Sequence, residues 1–467
     1  MSASALAKSD HMSASSAPSE IVAQAKPGSN ASGEIAYVLM GFPRLSETFV
    51  THEIYLLEQL GMKLRLFAIK HGDMEQVHDV VAHIRAPLTY LPKVTSLSGT
   101  NLFSWIWRNG AAYAESHGQL LRARPFSYLK TLSAALSMAI KYRRSWHAPL
   151  RKVFVKEFLQ AGYIANQVRK NLSIRQLHGH FCHGATTITW FVSRLTDVPF
   201  SFTAHAKDIY QVDQNPGDLL ARKLKAARFV TTCTGANATH LGERFPHCDH
   251  VHTVYHGLDT AYFAPPDGAQ RNAAIPRILA VGRFVQKKGF ADLIDACSIL
   301  RQSGMPFHLT IIGEQGDQSD VIRDQVARLD LKQSIHLRGP VTHDELRREY
   351  HRADIFALPC LVAPDGDRDG IPNVLAEAMA TGMAVVTTAV SGIPELVRDG
   401  VDGLMAPERN PQALAAALKR LLDDRVFREQ LGGAARARVC SVFDSKQTTM
   451  QLKSLFVDTM ATEEAKA

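Results

Sequence analysis

Short apolar runs alternate with helical patterns along most of this 467-residue chain. Several of these runs are continuously apolar, which is typical of strands that are buried on both faces of a parallel sheet. Helical segments of about 10–15 residues separate the runs and favour right-handed strand–helix–strand units. We predict strands at residues 35–40, 64–69, 199–205, 229–233, 278–281, 309–313, 335–338, 355–359 and 384–389. The alternation therefore predicts an α/β fold with parallel sheets.

One break in this alternation divides the chain. The sequence Ala264-Pro-Pro-Asp-Gly268 interrupts both periodicities, and a new strand begins at Arg277. The chain is long enough for two or three hydrophobic cores, and the repeated strand–helix pattern favours two large ones. The limits that we expect are a leader at 1–33, domains at 34–265 and 275–445, and a C-terminal helix and tail at 446–467. The leader is rich in Ser and Ala and lacks the apolar segment of a secretory signal, so we expect it to be disordered.

Composition limits the partners and the compartment. The formal net charge of +8 favours anionic partners, which include nucleic acid, membrane surfaces and anionic ligands. The sequence has no apolar run of about 18 residues, so we expect no membrane-spanning helix. The cysteines are scattered without a C-x-x-C pair, which favours reduced thiols in a cytoplasmic protein. They are Cys182, Cys233, Cys248, Cys297, Cys360 and Cys440.

Residues 101–156 form a strongly basic segment. It contains ten Lys and Arg residues and a single acid, Glu115. The interleaved aromatic residues include Trp105, Trp107, Phe126, Tyr128, Tyr142, Trp146 and Phe154. This pattern fits a pair of surface helices that rest on anionic lipid, and it also fits a solvated helical insertion whose aromatics pack inward. Single-stranded nucleic acid would use similar residues, but no RNA-binding signature is present, so we expect no nucleic-acid partner.

The segment from Asp369 to Gly382 carries a first candidate ligand site. Gly370 allows close approach of the backbone to a ligand, and Pro372 fits the first turn of a helix over residues 373–381. The free N–H groups of that helix would face a phosphate or a sugar. Glu377, one turn into the helix, could accept hydrogen bonds from ribose hydroxyls. The alternative is an acid that only complements the helix dipole.

A second cluster follows a predicted strand and opens a helix. Gly282, Arg283 and Lys288 lie in the sequence Val281-Gly-Arg-Phe-Val-Gln-Lys-Lys-Gly-Phe290. Open α/β sheets bind ligands at this edge, beyond the carboxyl ends of the strands. Two cations there could neutralise a diphosphate leaving group without a metal ion.

Together the two clusters resemble, in order and spacing, the donor site of glycosyltransferase family 4. The resemblance covers roughly residues 35–460 and implies the GT-B fold, in which two Rossmann-like domains face each other across a cleft. It implies that the first domain binds the acceptor, the second binds the donor, and the C-terminal helix crosses back to the first. By the same resemblance Arg283 and Lys288 hold the donor diphosphate, Glu377 holds the ribose, and Asp369 faces the donor sugar. The family's usual residue at the last position is Glu, so the shorter Asp369 leaves the identity of the sugar open.

The resemblance also assigns backbone and small residues to the donor. These are Gly282, Gly313, Gly339, Pro340, Val341, Gly370, Ile371, Pro372, Asn373 and Val374. In the first domain, Thr203–Asp208 resembles the family's segment that bears an active-site histidine. His205 would lie beside the donor sugar and Asp208 would fix its loop, although a strand-end histidine is also often structural.

The string Phe42-Pro-Arg-Leu-Ser-Glu-Thr-Phe49 is similar to family members that build bacterial exopolysaccharides, including the colanic-acid type. That similarity places a set of residues at the cleft, near the acceptor or the donor phosphate. The set is Gly41, Phe42, Arg44, Ser46 and Glu47. The alternative is a tight turn plus a helix cap, which we favour for Ser46 alone.

A zinc site at His178-Gly-His-Phe-Cys-His183 is disfavoured, because a fourth ligand is not apparent and related transferases carry a similar strand without metal. We expect a structural loop at the cleft floor instead. No Asp-x-Asp motif ends a predicted strand, and we expect no metal or other cofactor.

The sequence thus predicts a retaining transferase that uses a UDP- or GDP-sugar and a lipid-linked or polysaccharide acceptor. We expect it in the cytoplasm, bound peripherally to the inner face of the membrane through residues 101–156. The alternatives are a GT-B epimerase or phosphorylase, and a non-catalytic protein that binds nucleotide sugars or polysaccharide. We find no pyridoxal lysine site of the kind that a phosphorylase would need.

Overall fold

The structure is a computed structural model that describes residues 33–44, 47–72, 79–97, 99–145, 147–246, 248–265 and 273–465. Residues 1–32 of the predicted leader lie outside these ranges. So do Ser46 of the predicted cleft segment and Trp146 of the basic segment. Within the described residues the chain forms two fully parallel sheets with helices between the strands, which confirms the predicted fold class.

The first sheet has the strand order β3-β2-β1-β4-β5-β6-β7, and all of its neighbouring strands are parallel. The order reverses between β1 and β4, which creates a crevice at their carboxyl ends. Its strands are β1 (Glu34–Leu39), β2 (Lys63–Ala68), β3 (Leu88–Tyr90), β4 (Ile174–His180), β5 (Phe200–Ala204), β6 (Val230–Thr232) and β7 (Val251–Thr253).

The second sheet has the order β10-β9-β8-β11-β12-β13 and is also parallel throughout. Its order reverses between β8 and β11, so the loops after these two strands border the second crevice. Its strands are β8 (Arg277–Val281), β9 (His308–Ile312), β10 (Ile335–Arg338), β11 (Ile355–Leu358), β12 (Ala384–Thr388) and β13 (Leu404–Ala406).

The helices of the first part of the chain are α1 (Thr48–Gln59), α2 (Leu102–Asn109), α3 (Ala111–Ala123), α4 (Pro125–Lys141), α5 (Val153–Lys170), α6 (Gly184–Thr196), α7 (Ala206–Tyr210), α8 (Leu219–Ala226) and α9 (Gly235–Arg244). Those of the second part are α10 (Phe290–Gln302), α11 (Ser319–Arg328), α12 (His343–Arg352), α13 (Asn373–Ala380), α14 (Ile393–Leu396), α15 (Pro411–Asp423), α16 (Arg425–Val442) and α17 (Ser445–Glu464).

The C-terminal helix α17 packs on the first sheet, as predicted. Successive residues of β1 point to opposite faces, so Ile35 and Tyr37 share a core with α1 and α17. The ring of Phe456, on α17, lies 6.2 Å from that of Tyr37. The chain returns to the first domain where Leu258 exchanges backbone hydrogen bonds with Phe443 and Ser445.

Four strands were not predicted, namely β3, β4, β7 and β13. The expected structural loop at His178–His183 is therefore wrong for its first residues, because β4 continues to His180. The strand escapes a hydrophobicity pattern because its buried side chains are partly polar. His178 is fully buried, and its ring nitrogens pair with Ser201 Oγ at 2.8 Å and Thr203 Oγ1 at 3.0 Å on β5.

The basic segment forms α2, α3, α4 and the start of α5, and its aromatic residues divide between two environments. Trp105 and Phe154 are buried, whereas Trp107 and Phe126 are 89% and 87% exposed. Inward packing is thus confirmed for Trp105 and Phe154, whereas contact of the exposed residues with lipid stays a prediction. Over the described residues, none of the helices combines the length and the apolar character that a bilayer crossing requires.

Candidate active site

Glycines bring the loops of the second crevice into backbone contact. Gly289, which has φ 68°, lies so close to the end of β11 that a Cβ there would be 1.8 Å from the Pro359 carbonyl oxygen. A Cβ on Gly313 would come equally close to the Gly282 carbonyl oxygen. Only glycine fits such contacts, because any side chain would collide with backbone. The loops after β8, β9 and β11 therefore form one continuous surface, with Arg283 exposed upon it.

Lysine and aspartate residues from these loops form a compact ion-pair cluster. Lys288 Nζ lies 2.7 Å from Asp369 Oδ2, and Lys287 Nζ lies 3.2 Å from Asp369 Oδ1. Burial opposes ionisation of Asp369, but the two ammonium groups outweigh it and lower its pKa to about 2. Burial also opposes the charge on Lys288, yet the carboxylate raises the pKa of that lysine above its usual value. The two residues assigned to the diphosphate and the sugar thus neutralise each other.

Helix α13 begins beside this cluster and carries Glu377 on its buried side. The predicted helix is confirmed, and it runs from Asn373 to Ala380 after Pro372. Glu377 accepts a hydrogen bond from Tyr350 Oη at 2.8 Å, and burial raises the pKa of Glu377 to about 7. A buried carboxyl group whose pKa is about 7 can ionise when a ligand supplies hydroxyl donors.

The remaining residues assigned to the donor border the same crevice. Gly339 and Pro340 follow β10 and are exposed, and Val341 is partly buried. Gly370 approaches the first domain, since a Cβ there would lie 3.2 Å from Thr234 Cγ2. Ile371 and Val374 are partly buried at the start of α13. Their roles toward a donor stay predictions.

Four neighbouring strands of the first sheet end on a histidine or a cysteine at the cleft. His180 ends β4, His205 follows β5, Cys233 follows β6, and His256 lies three residues beyond β7. His205 Nε2 is 3.3 Å from His180 Nδ1, and His205 Nδ1 is 3.3 Å from His256 Nε2. Burial first, and the neighbouring imidazoles second, hold the pKa of His205 well below its usual range and lower that of His256 to about 4. Both rings are therefore neutral near pH 7.

Asp208 fixes the loop that carries His205. Its Oδ1 accepts the backbone N–H of His205 at 2.7 Å, and its other oxygen accepts the backbone N–H of Cys182. The carboxylate thus pairs with one donor in the turn from β5 into α7 and with another in the loop after β4. Asp208 therefore orients the histidine rather than facing the cleft itself.

The segment Phe42–Phe49 contacts the histidines through its last residue, which is the second residue of α1. Phe49 stacks on His256 with ring centroids 4.0 Å apart. Arg44 donates to Glu47 Oε1 at 2.8 Å, so these two charges pair with each other. Phe42 is buried in the core under α1, and its carbonyl oxygen accepts a hydrogen bond from Tyr90 Oη at 3.0 Å. Gly41 is buried beside it.

Several contacts join the halves of the site across the cleft. His256 hydrogen-bonds the side chain of Asn373, the first residue of α13. Glu395 Oε2 and Oε1 accept the backbone N–H groups of Gly235 and Ala236 at 2.6 and 2.7 Å, so the carboxylate caps helix α9 of the opposite domain. Glu395 Oε2 also accepts a hydrogen bond from Tyr255 Oη at 2.9 Å.

Sequence reasoning missed Cys233, His256, Tyr350 and Glu395 as residues of the cleft. The usable signal was the pattern of a polar residue at the end of each parallel strand, as in Val230-Thr-Thr-Cys233 and Val251-His-Thr-Val-Tyr-His256. Tyr350 and Glu395 carry no such signal, because each lies on a helix whose partner is distant in sequence.

Comparisons with known proteins agree with this geometry. The family model for "Glycosyl transferases group 1" matches residues 275–424. The amylovoran biosynthesis glycosyltransferase AmsK of Erwinia amylovora is 44% identical over 179 residues, which are 38% of this chain and 44% of AmsK. The colanic acid biosynthesis glycosyltransferase WcaL of Salmonella typhimurium is 26% identical over 445 residues, which are 90% of this chain and 99% of WcaL.

Solved structures show the same fold. A glycosyltransferase from Rickettsia africae superimposes with a TM-score of 0.64 at 15% identity, over 92% of this chain and 98% of that one. Anabaena HepE in complex with UDP-glucose gives a TM-score of 0.62 at 15% identity, over 91% of this chain and 100% of HepE. Residues 275–424 thus form a group 1 glycosyltransferase domain, and the whole chain shares the GT-B fold of the solved glycosyltransferases.

Proposed function

We propose that this chain transfers a sugar from a nucleoside diphosphate sugar to a lipid-linked or polysaccharide acceptor during assembly of an exopolysaccharide. The observation that carries the proposal is the convergence of Arg283, Lys288 and the N-terminus of α13 on one crevice, with Glu377 one turn deeper. Cations and free backbone N–H groups are what a diphosphate requires, and a buried carboxylate suits ribose hydroxyls. The similarity to AmsK and WcaL supports the exopolysaccharide class.

In the proposed reaction the diphosphate leaves from an oxocarbenium-like sugar. Lys288 exchanges the Asp369 carboxylate for the diphosphate, and Arg283 adds a second cation, so charge on the leaving group is stabilised without a metal ion. Asp369, once released, faces the sugar, and His205 bonds its hydroxyls from the opposite domain. The acceptor attacks from the face that the phosphate leaves, with retention of configuration, and a phosphate oxygen takes its proton. Closure of the domains excludes water.

The donor is tested with a panel of UDP-, GDP- and ADP-sugars, each incubated with the protein and a membrane-extracted acceptor. A UDP-sugar is the first choice, because the HepE structure of the same fold holds UDP-glucose. We expect nucleoside diphosphate release with one donor class, and a product whose anomeric coupling in its NMR spectrum matches that of the donor. Absence of release with every donor would contradict the enzyme proposal, and an inverted product would contradict retention.

We also propose that the basic segment holds the enzyme on the cytoplasmic face of an anionic membrane. Phe126, Leu129, Leu136 and Ile140 recur on one exposed side of α4, and Trp107 is exposed on α2. Arg108, Arg122, Lys130 and Arg144 of the same segment are also exposed. Exposed apolar and aromatic side chains combined with cations match the boundary between headgroups and acyl chains.

Flotation with liposomes tests this attachment. The protein is expected to float with anionic vesicles, to be released by high salt, and to lose binding when Trp107 and Phe126 are changed to Ser. Val426→Ser serves as a matched control, because Val426 is 64% exposed on the other domain. Equal flotation with neutral vesicles would contradict the electrostatic part of the proposal.

A further inference from the structure

Three side chains at the ends of adjacent strands form a cluster with the dimensions of a metal site. One nitrogen each of His205 and His256 and the sulfur of Cys233 all lie within 4.8 Å of one another. His205 Nδ1 and His256 Nε2 are 3.3 Å apart. Two nitrogens on a tetrahedral Zn²⁺ with Zn–N bonds of about 2.0–2.1 Å are separated by about 3.3 Å. We propose that His205, Cys233 and His256 bind Zn²⁺ or a similarly soft metal ion.

The cluster needs only a small adjustment to close around the ion. Zn–S and Zn–N bonds of about 2.3 and 2.05 Å place sulfur about 3.6 Å from nitrogen, so Cys233 must approach by at most about 1.2 Å. Cys233 and His256 line a small cavity together with Asn373. A thiolate with two imidazoles selects Zn²⁺ or Cu(I) over Mg²⁺ and Mn²⁺, which prefer oxygen.

Residues behind the cluster orient His205 as a ligand. His180 Nε2 faces the Glu53 carboxylate at 3.7 Å, which favours a proton on that nitrogen. His180 Nδ1 is then an acceptor, so His205 donates to it from Nε2 and keeps the lone pair of Nδ1 directed at the cluster. Metal-binding histidines typically use their second nitrogen in this way, and the outer partner fixes the tautomer.

Binding of the ion releases one proton from the protein. Two Zn–N bonds and one Zn–S bond form, the S–H bond of Cys233 breaks, and its proton passes to the buffer. The hydrogen bond between His205 and His256 is replaced by the two Zn–N bonds. His256, which donates that hydrogen bond from Nε2, changes to the neutral tautomer that carries its ring proton on Nδ1, so its Nε2 lone pair binds the ion. A water molecule completes the tetrahedron, as in other zinc sites with three protein ligands.

The ion has no part in the proposed transfer, which uses Arg283 and Lys288 instead. It would hold His205 away from the donor sugar, so we expect Zn²⁺ to inhibit turnover. This consequence rests on the proposed function, whereas the binding of the ion does not. The two are therefore measured separately.

Binding is measured on the full, metal-free chain by competition with a chromophoric Zn²⁺ chelator. We expect one tight site that is weakened by more than about 100-fold in Cys233→Ser and in His256→Asn, since even loss of an outer partner costs about 10–100-fold. His180→Asn, which removes the partner of His205, is expected to weaken binding by about tenfold. Cys440→Ser, at a partly exposed cysteine on α16, is the matched control and is expected to bind as the wild type does.

Co²⁺ gives a positive signature that does not depend on affinity. The wild type and Cys440→Ser are expected to show a thiolate-to-cobalt charge-transfer band that Cys233→Ser lacks. Equal Zn²⁺ affinity in the wild type and Cys233→Ser, or a cobalt spectrum without that band, would overturn the metal site. Tight binding at this site without inhibition would support the site and overturn the placement of His205 beside the donor sugar.

Discussion

The pairing of Asp369 with Lys288 leads to a prediction with two effects of opposite sign. Asp369→Asn removes a carboxylate whose pKa is lowered from its usual 3.8 to about 2 by the two lysines. A shift of that size corresponds to about 2 kcal/mol of stability at pH 7. Because the folded pKa is depressed, this contribution is present above about pH 4 and is lost as the pH falls toward 2. We expect Asp369→Asn to lower the free energy of unfolding by about 2 kcal/mol at pH 7.

The same substitution is expected to tighten the binding of a nucleoside diphosphate. A diphosphate bound by Lys288 would lie within about 6 Å of the Asp369 carboxylate, and at an effective dielectric constant of about 20 that repulsion amounts to about 1–3 kcal/mol. Calorimetric titration with UDP or GDP should therefore show an affinity about tenfold higher in Asp369→Asn. Asp369→Glu keeps the charge and is the control with little change. Weaker nucleotide binding in Asp369→Asn, or unchanged stability at pH 7, would refute the assignment of Lys288 as shared between carboxylate and diphosphate.

Three further predictions concern the charged residues Glu377, Lys223 and Glu395. Burial raises the pKa of Glu377 to about 7, so the stability of the wild type relative to Glu377→Gln should fall by about 3 kcal/mol as the pH rises from 4.5 to 7, measured by urea unfolding of both proteins at both pH values. Glu377→Gln should also bind the donor more weakly. Lys223 is fully buried and donates hydrogen bonds to three oxygens. Lys223→Met should therefore lower the free energy of unfolding by about 3–5 kcal/mol, and a loss below about 1 kcal/mol would contradict a stabilising role of this lysine. Glu395→Gln weakens the cap on the backbone N–H groups of Gly235 and Ala236. The free energy of unfolding, measured by the same assay, is expected to fall by about 1–3 kcal/mol. An unchanged free energy of unfolding would show that the cap does not stabilise the fold.

The donor half of the site could be predicted because its residues are close together in sequence. Asp369 and Glu377 are linked by one loop and one helix, and Arg283 and Lys288 follow a single strand. Local rules for strand ends, glycine turns and helix starts are therefore sufficient to place them. The pairing of Lys288 with Asp369 could not be predicted, because it depends on how two loops that are 81 residues apart approach each other.

The other half of the site is assembled from single residues on four strands. His180, His205, Cys233 and His256 become neighbours only because β4 to β7 are adjacent in the sheet. Pattern recognition found His205, whose segment resembles a known motif. It missed β4 because the buried polar side chains of that strand are satisfied by β5, and such tertiary compensation leaves no periodic signal.

The central proposal is that Lys288 stabilises the departing diphosphate of a sugar donor. Its most direct test is the rate of nucleoside diphosphate release by Lys288→Ala, measured with the donor that the panel identifies. Lys332→Ala removes an exposed cation of the same domain and is the matched control. We predict that kcat/KM falls by about 100-fold or more in Lys288→Ala, as for loss of one preorganised charge-stabilising group, and is unchanged in Lys332→Ala. Full turnover in Lys288→Ala would contradict the proposal.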